Sequence, residues 1–359
     1  MITYLNEIGK FVRWKDWGPG KIPIFCIGLF YAGLANRDVS LGFFFDFFVF
    51  IVFIMLQAAL GYAVNDWGDR EIDKLHGKEN GFNGLGKGNG IVSLLALFIL
   101  SCASVIPFIS RPMVLFLWLA LVFCLVAYSL KPLRLKEHGI WGIGAATIAQ
   151  WPIPIMLTFA VSGRFGGWDV IAFVVAITIG GATLELAHQR YDRERDLSTQ
   201  TNTLASRMKK EKIDKMFLVF VFSEKIALGF VISVITFGVG NILIKGREMA
   251  LLLPLLIIYV FLLVGSIYET LKALKHGEIL DPYYSSRRSI SKLLHETLMN
   301  LVVPLYLMLI AAIQMPLNGL ILLSFVIWRV LLGGADWRWP FRTLRAAFFE
   351  REVRNRERS

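Results

Sequence analysis

Long apolar blocks recur along the chain, and they restrict it to a helical fold that spans a membrane. Most of the blocks have roughly 17–25 residues, the length that a helix needs to cross the hydrocarbon core of a bilayer. They lack the alternating pattern of a membrane barrel, and helices are the other structure that satisfies backbone hydrogen bonds in lipid. The ten candidate blocks lie at 22–36, 42–65, 91–109, 113–130, 139–161, 169–189, 216–240, 249–271, 293–313 and 316–333.

The composition agrees with this interpretation. Hydrophobic residues make up 56% of the 359 residues, and charged residues make up only 18%. Soluble domains carry about 25% charged residues, so the low charged fraction of this chain is typical of a membrane protein. Because the first and last blocks are short, we predict an all-α integral membrane protein with a bundle of nine to ten helices.

Positive charge is distributed unevenly between the two sides of the predicted bundle. One side carries 32 of the 38 Lys and Arg residues, and the other side carries 5. Lys and Arg concentrate in cytoplasmic loops, so the first side is expected to face the cytoplasm. The longer loops also lie on this side and would cap the bundle. We therefore expect a protein of the bacterial inner membrane whose functional end faces the cytoplasm.

The chain divides into three segments. A cytoplasmic N-terminal segment, 1–21, precedes a membrane domain, 22–313, and an extra membrane segment with a basic amphipathic tail follows at 314–359. A tenth helix would place this arginine-rich tail on the cytoplasmic side, in agreement with the charge rule. We expect the tail to lie on anionic lipid rather than to bind nucleic acid.

A cluster of acidic residues follows the second apolar block. Asn65, Asp69 and Asp73 are spaced one turn apart and share a helix face if the helix continues, and Asp66 is offset by one position. An ordinary charged helix end is the simpler interpretation of one such cluster. However, acids near a helix C-terminus are disfavoured by the dipole, and acids at membrane depth are costly.

A matching cluster ends the sixth block on the same side of the membrane. Asp192 and Asp196 are again one turn apart, and His188 lies one turn earlier. Mg²⁺ prefers oxygen ligands and usually takes one or two carboxylates together with water and substrate phosphates. Two such helix ends facing each other would hold Mg²⁺ with a diphosphate between them.

A basic segment, YSLKPLRLKEHG, joins the fourth and fifth blocks on that side. Lys131, Arg134 and Lys136 follow Tyr128 within nine residues. Alone, the segment is typical of a positively charged cytoplasmic loop. Beside two acidic clusters, its cations would also serve as donors to phosphate oxygens.

These three stretches together resemble the UbiA superfamily of intramembrane prenyltransferases. NDWGDREID fits the pattern NxxxDxxxD, DRERD fits DxxxD, and YSLKPLRLK is similar to the YSxxPxRxK segment of many members. Their order and their placement after the second, fourth and sixth blocks also match. The resemblance covers roughly residues 10–313.

The resemblance implies a fold, a cofactor and a reaction. Members have nine helices around a central cavity, with acidic motifs at its cytoplasmic mouth that bind Mg²⁺. The ion binds the diphosphate of an isoprenyl donor. The donor ionises to an allylic cation, which an acceptor then captures. By position, the metal would be bound by Asp66, Asp69, Asp73, Asp192 and Asp196. All of these except Asp66 would also be catalytic. The implied substrate-binding residues are Asn65, Tyr128, Lys131, Arg134 and Lys136. His188 and Glu185 are added to them because their spacing places them on the helix face of Asp192.

Some polar residues inside the apolar blocks have no place in the three motifs. Glu185 lies seven residues before Asp192, on the same face and deeper in the membrane. It would polarise an acceptor, act as a base, or form a structural ion pair. Glu224 and Lys225 are adjacent, so they point in different directions on a helix.

Three functions remain open on the sequence. The first is prenyl transfer to an aromatic, ring or lipid-type acceptor, whose identity the sequence does not specify. The second is a membrane terpene cyclase of the same superfamily, which ionises the same donor without an external acceptor. The third, a cation transporter, fits less well because transporters place their sites near mid-membrane. The chain also lacks the His-Pro…Arg-Pro segment of many relatives and has a glycine-rich loop, HGKENGFNGLGKGNG, in its place.

Overall fold

A computed structural model describes residues 9–75, 77–198, 203–244, 247–284, 289–332 and 342–345. Within these residues, nine helices are long and apolar enough to cross a membrane, and a shorter apolar helix follows them. This confirms the predicted all-α bundle. The crossing helices are α1 (Trp14–Ala35), α2 (Leu41–Leu75), α3 (Lys87–Phe108), α4 (Pro112–Ser129), α5 (Ile140–Val161), α6 (Trp168–Ser198), α7 (Lys210–Val239), α8 (Leu253–Lys275) and α9 (Ile290–Gln314), and the shorter one is α10 (Pro316–Arg329).

Several helices depart locally from regular α geometry. Helix α5 is interrupted at Trp151, because Pro152 cannot donate the next backbone hydrogen bond. Helix α9 contains a wide π-helical stretch, Leu293–Val302, before its regular half. Outside the helices, β1 (Ile242–Ile244) and β2 (Arg247–Met249) form a small antiparallel hairpin between α7 and α8.

The helices extend beyond the predicted apolar blocks. Helix α1 begins at Trp14, inside the segment expected to precede the membrane domain. Helices α2 and α6 continue to Leu75 and Ser198, past predicted ends at 65 and 189. Hydropathy marks only the part of a helix that meets lipid, so it misses polar extensions. Both acidic clusters are therefore helical, as their spacing required. Most of the predicted basic tail lies outside the described residues.

Helix α1 occupies the middle of the bundle. In the most apolar 18-residue stretch of α1, 83% of the residues are buried, compared with 22% in the corresponding stretch of α3. Large side chains of α1, including Phe30 and Tyr31, are fully enclosed by their neighbours. The outer helices instead leave many Phe, Leu and Ile side chains exposed, as expected of surfaces that contact lipid. This arrangement leaves space between α1 and parts of α2, α4, α5 and α6.

A buried polar network connects α7, α8 and α9. Lys225 Nζ donates to Ser266 Oγ at 2.7 Å and to Ser291 Oγ at 3.1 Å, and lies 3.1 Å from His295 Nε2. The other side of the His295 ring faces Glu224, whose carboxylate lies 3.1 Å from Nδ1. Adjacent Glu224 and Lys225 thus point apart, as predicted, and the His295 ring connects them.

We expect Lys225→Ala to lower the melting temperature of the detergent-solubilised protein strongly. The substitution leaves the carboxylate of Glu224 and two hydroxyl groups buried without their cation, and breaking a buried charge pair costs about 3–5 kcal/mol. Lys212→Ala is the control, because Lys212 is an exposed lysine of the same helix. Equal melting temperatures for the two variants would contradict this account of the network.

Candidate active site

A cavity opens between the central helices, at the end of the bundle that carries the two acidic clusters. It has a volume of about 640 Å³. Its inner wall is mainly apolar and includes Phe25, Ile54, Leu121, Leu125 and Pro154. Such a wall suits a hydrophobic ligand. The residues toward its mouth are polar or aromatic and include Asn65, Tyr128, His188 and Tyr284.

The first acidic cluster lies one turn beyond the mouth, on α2. Asp69 Oδ1 accepts a hydrogen bond from Arg134 at 2.8 Å, and its Oδ2 lies 2.6 Å from Lys136 Nζ. Lys136 also donates to Asn65 Oδ1 at 3.0 Å. The basic segment therefore contacts the acidic cluster directly. The structure thus brings four of the predicted site residues together, namely Asn65, Asp69, Arg134 and Lys136.

A close approach of two backbones makes this contact possible. A β-carbon at Gly68 would lie 2.6 Å from the carbonyl oxygen of Ser129, so only glycine fits between α2 and the end of α4. Arg134 has a left-handed backbone, with φ of 38°. Its guanidinium donates to the Gly68 carbonyl oxygen at 2.7 Å and also bonds Glu137. A strained, non-glycine conformation held by several contacts is typical of functional sites.

The cations of the basic segment have different environments. Burial lowers the pKa of Lys136, and the charge of Asp69 opposes this only in part. Burial also acts against the charge of Arg134, but its hydrogen bond to Glu137 and the charge of Asp69 raise its pKa. Lys131 is exposed to solvent. Arg134 and Lys136 thus belong to the packed site, and Lys131 lies at its surface.

Asp66 is buried and faces a different set of partners. Its Oδ1 lies 3.0 Å from Arg13, and its Oδ2 accepts the Gly81 backbone N–H at 2.8 Å. Asn80 donates both to the Asp66 backbone carbonyl and to the Asp73 carboxylate, each at 2.8 Å. The two carboxylate oxygens of Asp66 thus hold the N-terminal segment and the glycine-rich loop in this structure, and its role as a metal ligand stays a prediction.

The second acidic cluster lies at the end of α6. Asp192 Oδ2 is 2.8 Å from Arg195 and 3.5 Å from His188 Nε2. Asp196 is largely buried and accepts a hydrogen bond from Thr203 at 3.0 Å. His188 borders the cavity and Asp192 lies one turn beyond it, which matches the placement of Asn65 and Asp69 on α2.

Tyr284 brings the loop between α8 and α9 to this second cluster. Its hydroxyl oxygen lies 2.9 Å from His188 Nδ1, and its ring stacks on Tyr191 at 4.8 Å. Burial and the negative charge of Glu185 raise the pKa of Tyr284 to about 12. The hydroxyl therefore stays neutral, so it can hold His188 in place without adding charge.

The two clusters offer oxygen ligands in the number that Mg²⁺ takes from proteins. Within the described residues, no three His, Cys, Asp or Glu side chains converge on one metal position. Each helix end instead provides a pair of carboxylates one turn apart, Asp69 with Asp73 and Asp192 with Asp196. One or two carboxylates, completed by water and phosphate oxygens, form the usual Mg²⁺ site. The donor set therefore fits this ion.

Sequence reasoning missed several residues of the site. Arg13, Lys21 and Gln150 line the cavity with Tyr284, and Asn80 bridges two acids of the first cluster. A polar residue inside an apolar block signals a functional position, and this signal marks Gln150. Lys21 lies just before the first apolar block, so the signal does not mark it. The positions of Arg13, Asn80 and Tyr284 depend on how loops fold over the mouth, which spacing does not report.

The chain is similar to known proteins in both sequence and structure. A sequence model of the UbiA prenyltransferase family matches residues 22–277. A UbiA homolog from Archaeoglobus fulgidus bound to GPP and Mg²⁺ superimposes with a TM-score of 0.58 at 15% identity, over 85% of this chain and 99% of that chain. The same homolog bound to DMAPP and Mg²⁺ gives a TM-score of 0.57 with the same identity and coverage.

A digeranylgeranylglyceryl phosphate synthase is also similar in structure. It matches with a TM-score of 0.50 at 14% identity, over 91% of this chain and 99% of that chain. At these identities, the solved structures show a shared fold. Among curated protein sequences, none matches the chain.

Proposed function

Because the chain belongs to the UbiA prenyltransferase family, we propose that it transfers an isoprenyl group from an allylic diphosphate to an acceptor within the membrane. The observation that carries this proposal is the placement of two paired-carboxylate helix ends at one mouth of an apolar cavity. The mouth suits a diphosphate and the cavity suits an isoprenoid tail. In the neighbouring structures, GPP or DMAPP is bound together with Mg²⁺, which supports this assignment.

The proposed roles follow from the positions of the carboxylates. Asp69, Asp73, Asp192 and Asp196 would hold Mg²⁺, which stabilises the charge that develops on diphosphate as the allylic C–O bond breaks. Asp66 would support the mouth through Arg13 and Gly81.

The cations complete the binding of the diphosphate. Arg134 and Lys136 hold Asp69 and Asn65 in place, and their remaining N–H groups would donate to phosphate oxygens. Lys131 would add a more weakly held contact from the surface. Preorganised hydrogen-bond donors of this kind stabilise developing negative charge most strongly in a site that excludes water. His188 and Tyr128 border the cavity next to the clusters and would contact the donor near its diphosphate end.

The proposed orientation places this mouth in the cytoplasm of a bacterial cell, at the inner membrane. Both acidic helix ends and the basic segment lie on the side that carries 32 of the 38 Lys and Arg residues. The charge rule assigns that side to the cytoplasm. A cysteine-accessibility experiment tests this: a cysteine replacing exposed Lys272 should react with an impermeant reagent only in inverted inner-membrane vesicles.

Product analysis tests the proposed reaction. The purified protein would be incubated with geranyl, farnesyl and geranylgeranyl diphosphates, Mg²⁺ and a lipid-containing cell extract, and prenylated products would be identified by mass spectrometry. We expect a product whose mass equals an acceptor plus one isoprenyl group. A cyclic hydrocarbon formed without the extract would instead show that the protein is a terpene cyclase.

Transport is separated from transfer by flux measurements in proteoliposomes. The carboxylates gather at one end of the bundle, whereas transporters place their sites near mid-membrane. We expect no Mg²⁺ flux above that of empty liposomes. Flux that is lost in both Asp69→Asn and Asp192→Asn, without turnover of any prenyl diphosphate, would favour the transporter.

Gly68→Ala is expected to lower donor turnover by about ten- to a hundredfold, because small displacements of positioning groups have effects of this size. The new β-carbon would lie 2.6 Å from the Ser129 carbonyl oxygen and displace the end of α4 together with Arg134. Gly144→Ala is the matched control, since a β-carbon there meets no atom within 4 Å. Equal turnover in the two variants would show that the close approach is unimportant.

A further inference from the structure

A layer of polar residues crosses the cavity below the acidic clusters. Glu185 lies seven residues before Asp192 on α6, and Tyr62 lies seven residues before Asp69 on α2. Two helical turns correspond to about 10 Å along each helix axis. Both side chains line the cavity. The layer therefore lies about 10 Å deeper along the helix axes than the carboxylates at the mouth.

The layer contains a lysine and a glutamate that are joined through an amide. Lys21 Nζ donates to Gln150 Oε1 at 2.5 Å, and Gln150 Nε2 donates to Glu185 Oε1 at 3.0 Å. Lys21 Nζ also lies 5.3 Å from the centre of the Tyr62 ring and 5.7 Å from that of Trp151. Three helices, α1, α5 and α6, thus place opposite charges along one wall of the cavity.

This arrangement differs from that of an ion pair that serves only to join helices. A buried pair offsets its desolvation best through direct contact and full hydrogen bonding. Here the Gln150 amide separates Lys21 from Glu185, and all three side chains border the cavity. Lys21 and Gln150 stabilise the negative charge of Glu185, while the carboxylate remains within reach of a ligand in the cavity.

We propose that Glu185 is the catalytic base that takes the proton from a hydroxyl group of the acceptor, and that Lys21 and Gln150 position it. This inference rests on the proposed function. The allylic carbon of a donor whose diphosphate lies at the mouth would reach this layer. The C–O bond of the donor breaks and leaves its electron pair on diphosphate. The hydroxyl oxygen of the acceptor forms a new bond to the allylic carbon, and its proton moves to Glu185.

The test compares two acceptors that differ in their need for a base. Phenol holds its proton with a pKa of about 10, like a tyrosine side chain. 4-Nitrophenol is offered in a buffer alkaline enough to ionise it, so it needs no base. Geranyl diphosphate and Mg²⁺ are supplied to wild type and to Glu185→Gln, and geranylated products and released diphosphate are measured.

We expect Glu185→Gln to reduce capture by phenol by about 10²- to 10⁴-fold, the usual contribution of a general base. Capture by 4-nitrophenolate and the affinity for geranyl diphosphate should stay near wild-type values. Lys21→Met should reduce phenol capture selectively, and Glu185→Asp should restore part of it. Asp46→Asn, which removes an exposed acid at the opposite end of the bundle, is the control and should change neither reaction.

Three results would overturn the assignment. Equal losses with both acceptors would mean that Glu185 is only structural, and no loss with either would mean that it has no role. If wild type releases diphosphate in the presence of Mg²⁺ but captures neither acceptor, the layer does not bind a hydroxyl group, although the proposed function stands. If wild type releases no diphosphate at all, the proposed function has failed, which is a distinct outcome.

Discussion

Asp69→Ala and Asp192→Ala are each expected to reduce Mg²⁺-dependent turnover of geranyl diphosphate by at least about 10²- to 10³-fold. Each substitution removes one carboxylate of a pair, so the affected helix end keeps a single acidic ligand. Mg²⁺ binds through few protein ligands, and the loss of one leaves too little negative charge to hold it. The variants should still insert and fold, because both side chains lie near the mouth and not in the apolar core.

Neighbouring glutamates provide matched controls on the same two helix ends. Glu71 lies between Asp69 and Asp73, and Glu194 lies between Asp192 and Asp196. Both are exposed to solvent. Turnover by Glu71→Ala and Glu194→Ala should stay close to wild type. If these controls lose as much activity as the aspartate variants, general negative charge rather than a specific ligand set would explain the results.

Arg134→Ala is expected to have the second largest effect, with turnover reduced by about 10²- to 10³-fold and a lower melting temperature. The guanidinium contacts Asp69 at 2.8 Å and the Gly68 carbonyl oxygen at 2.7 Å, so it joins the basic segment to α2. Its removal leaves Oδ1 of Asp69 without its donor and loosens the segment that carries Lys136, the other cation in contact with Asp69. Turnover and thermal melting would be measured on the same preparation.

Two further variants separate the position of Arg134 from its charge. Arg134→Lys should recover little activity, because an ammonium group cannot reproduce the planar fork that contacts several acceptors. Lys272→Ala removes an exposed cation from the same side of the membrane and should leave turnover unchanged. Full activity in Arg134→Lys would show that this position supplies only charge.

The sequence predicts the class of fold well, and it predicts which helix faces carry the paired carboxylates of the candidate site. Apolar block length alone indicates nine to ten helices, and one-turn spacing places Asp69 with Asp73 and Asp192 with Asp196 on single faces. These features are set by local periodicity. The basic segment was predicted as a donor to phosphate oxygens, and its direct contact with Asp69 and Asn65 is found only in the structure.

The rest depends on packing between distant segments. Asp66 contacts Arg13 and Gly81, which come from distant parts of the chain, so motif spacing could not predict these contacts. Lys21 and Glu185 are 164 positions apart. They bond the same Gln150 amide only because α1 lies in the centre of the bundle. The path of the α8–α9 loop, which carries Tyr284 to His188, is likewise a tertiary feature.

The central claim is that the two acidic helix ends act as one Mg²⁺–diphosphate site, and a double-mutant comparison tests it most directly. Release of diphosphate from geranyl diphosphate would be measured with Mg²⁺ and with a chelator, for wild type, Asp69→Ala, Asp192→Ala and the double variant. We predict Mg²⁺-dependent release by wild type and a loss in the double variant no larger than in either single variant, because residues that act as a unit are non-additive. Losses that multiply, or release by wild type that is insensitive to the chelator, would contradict the account.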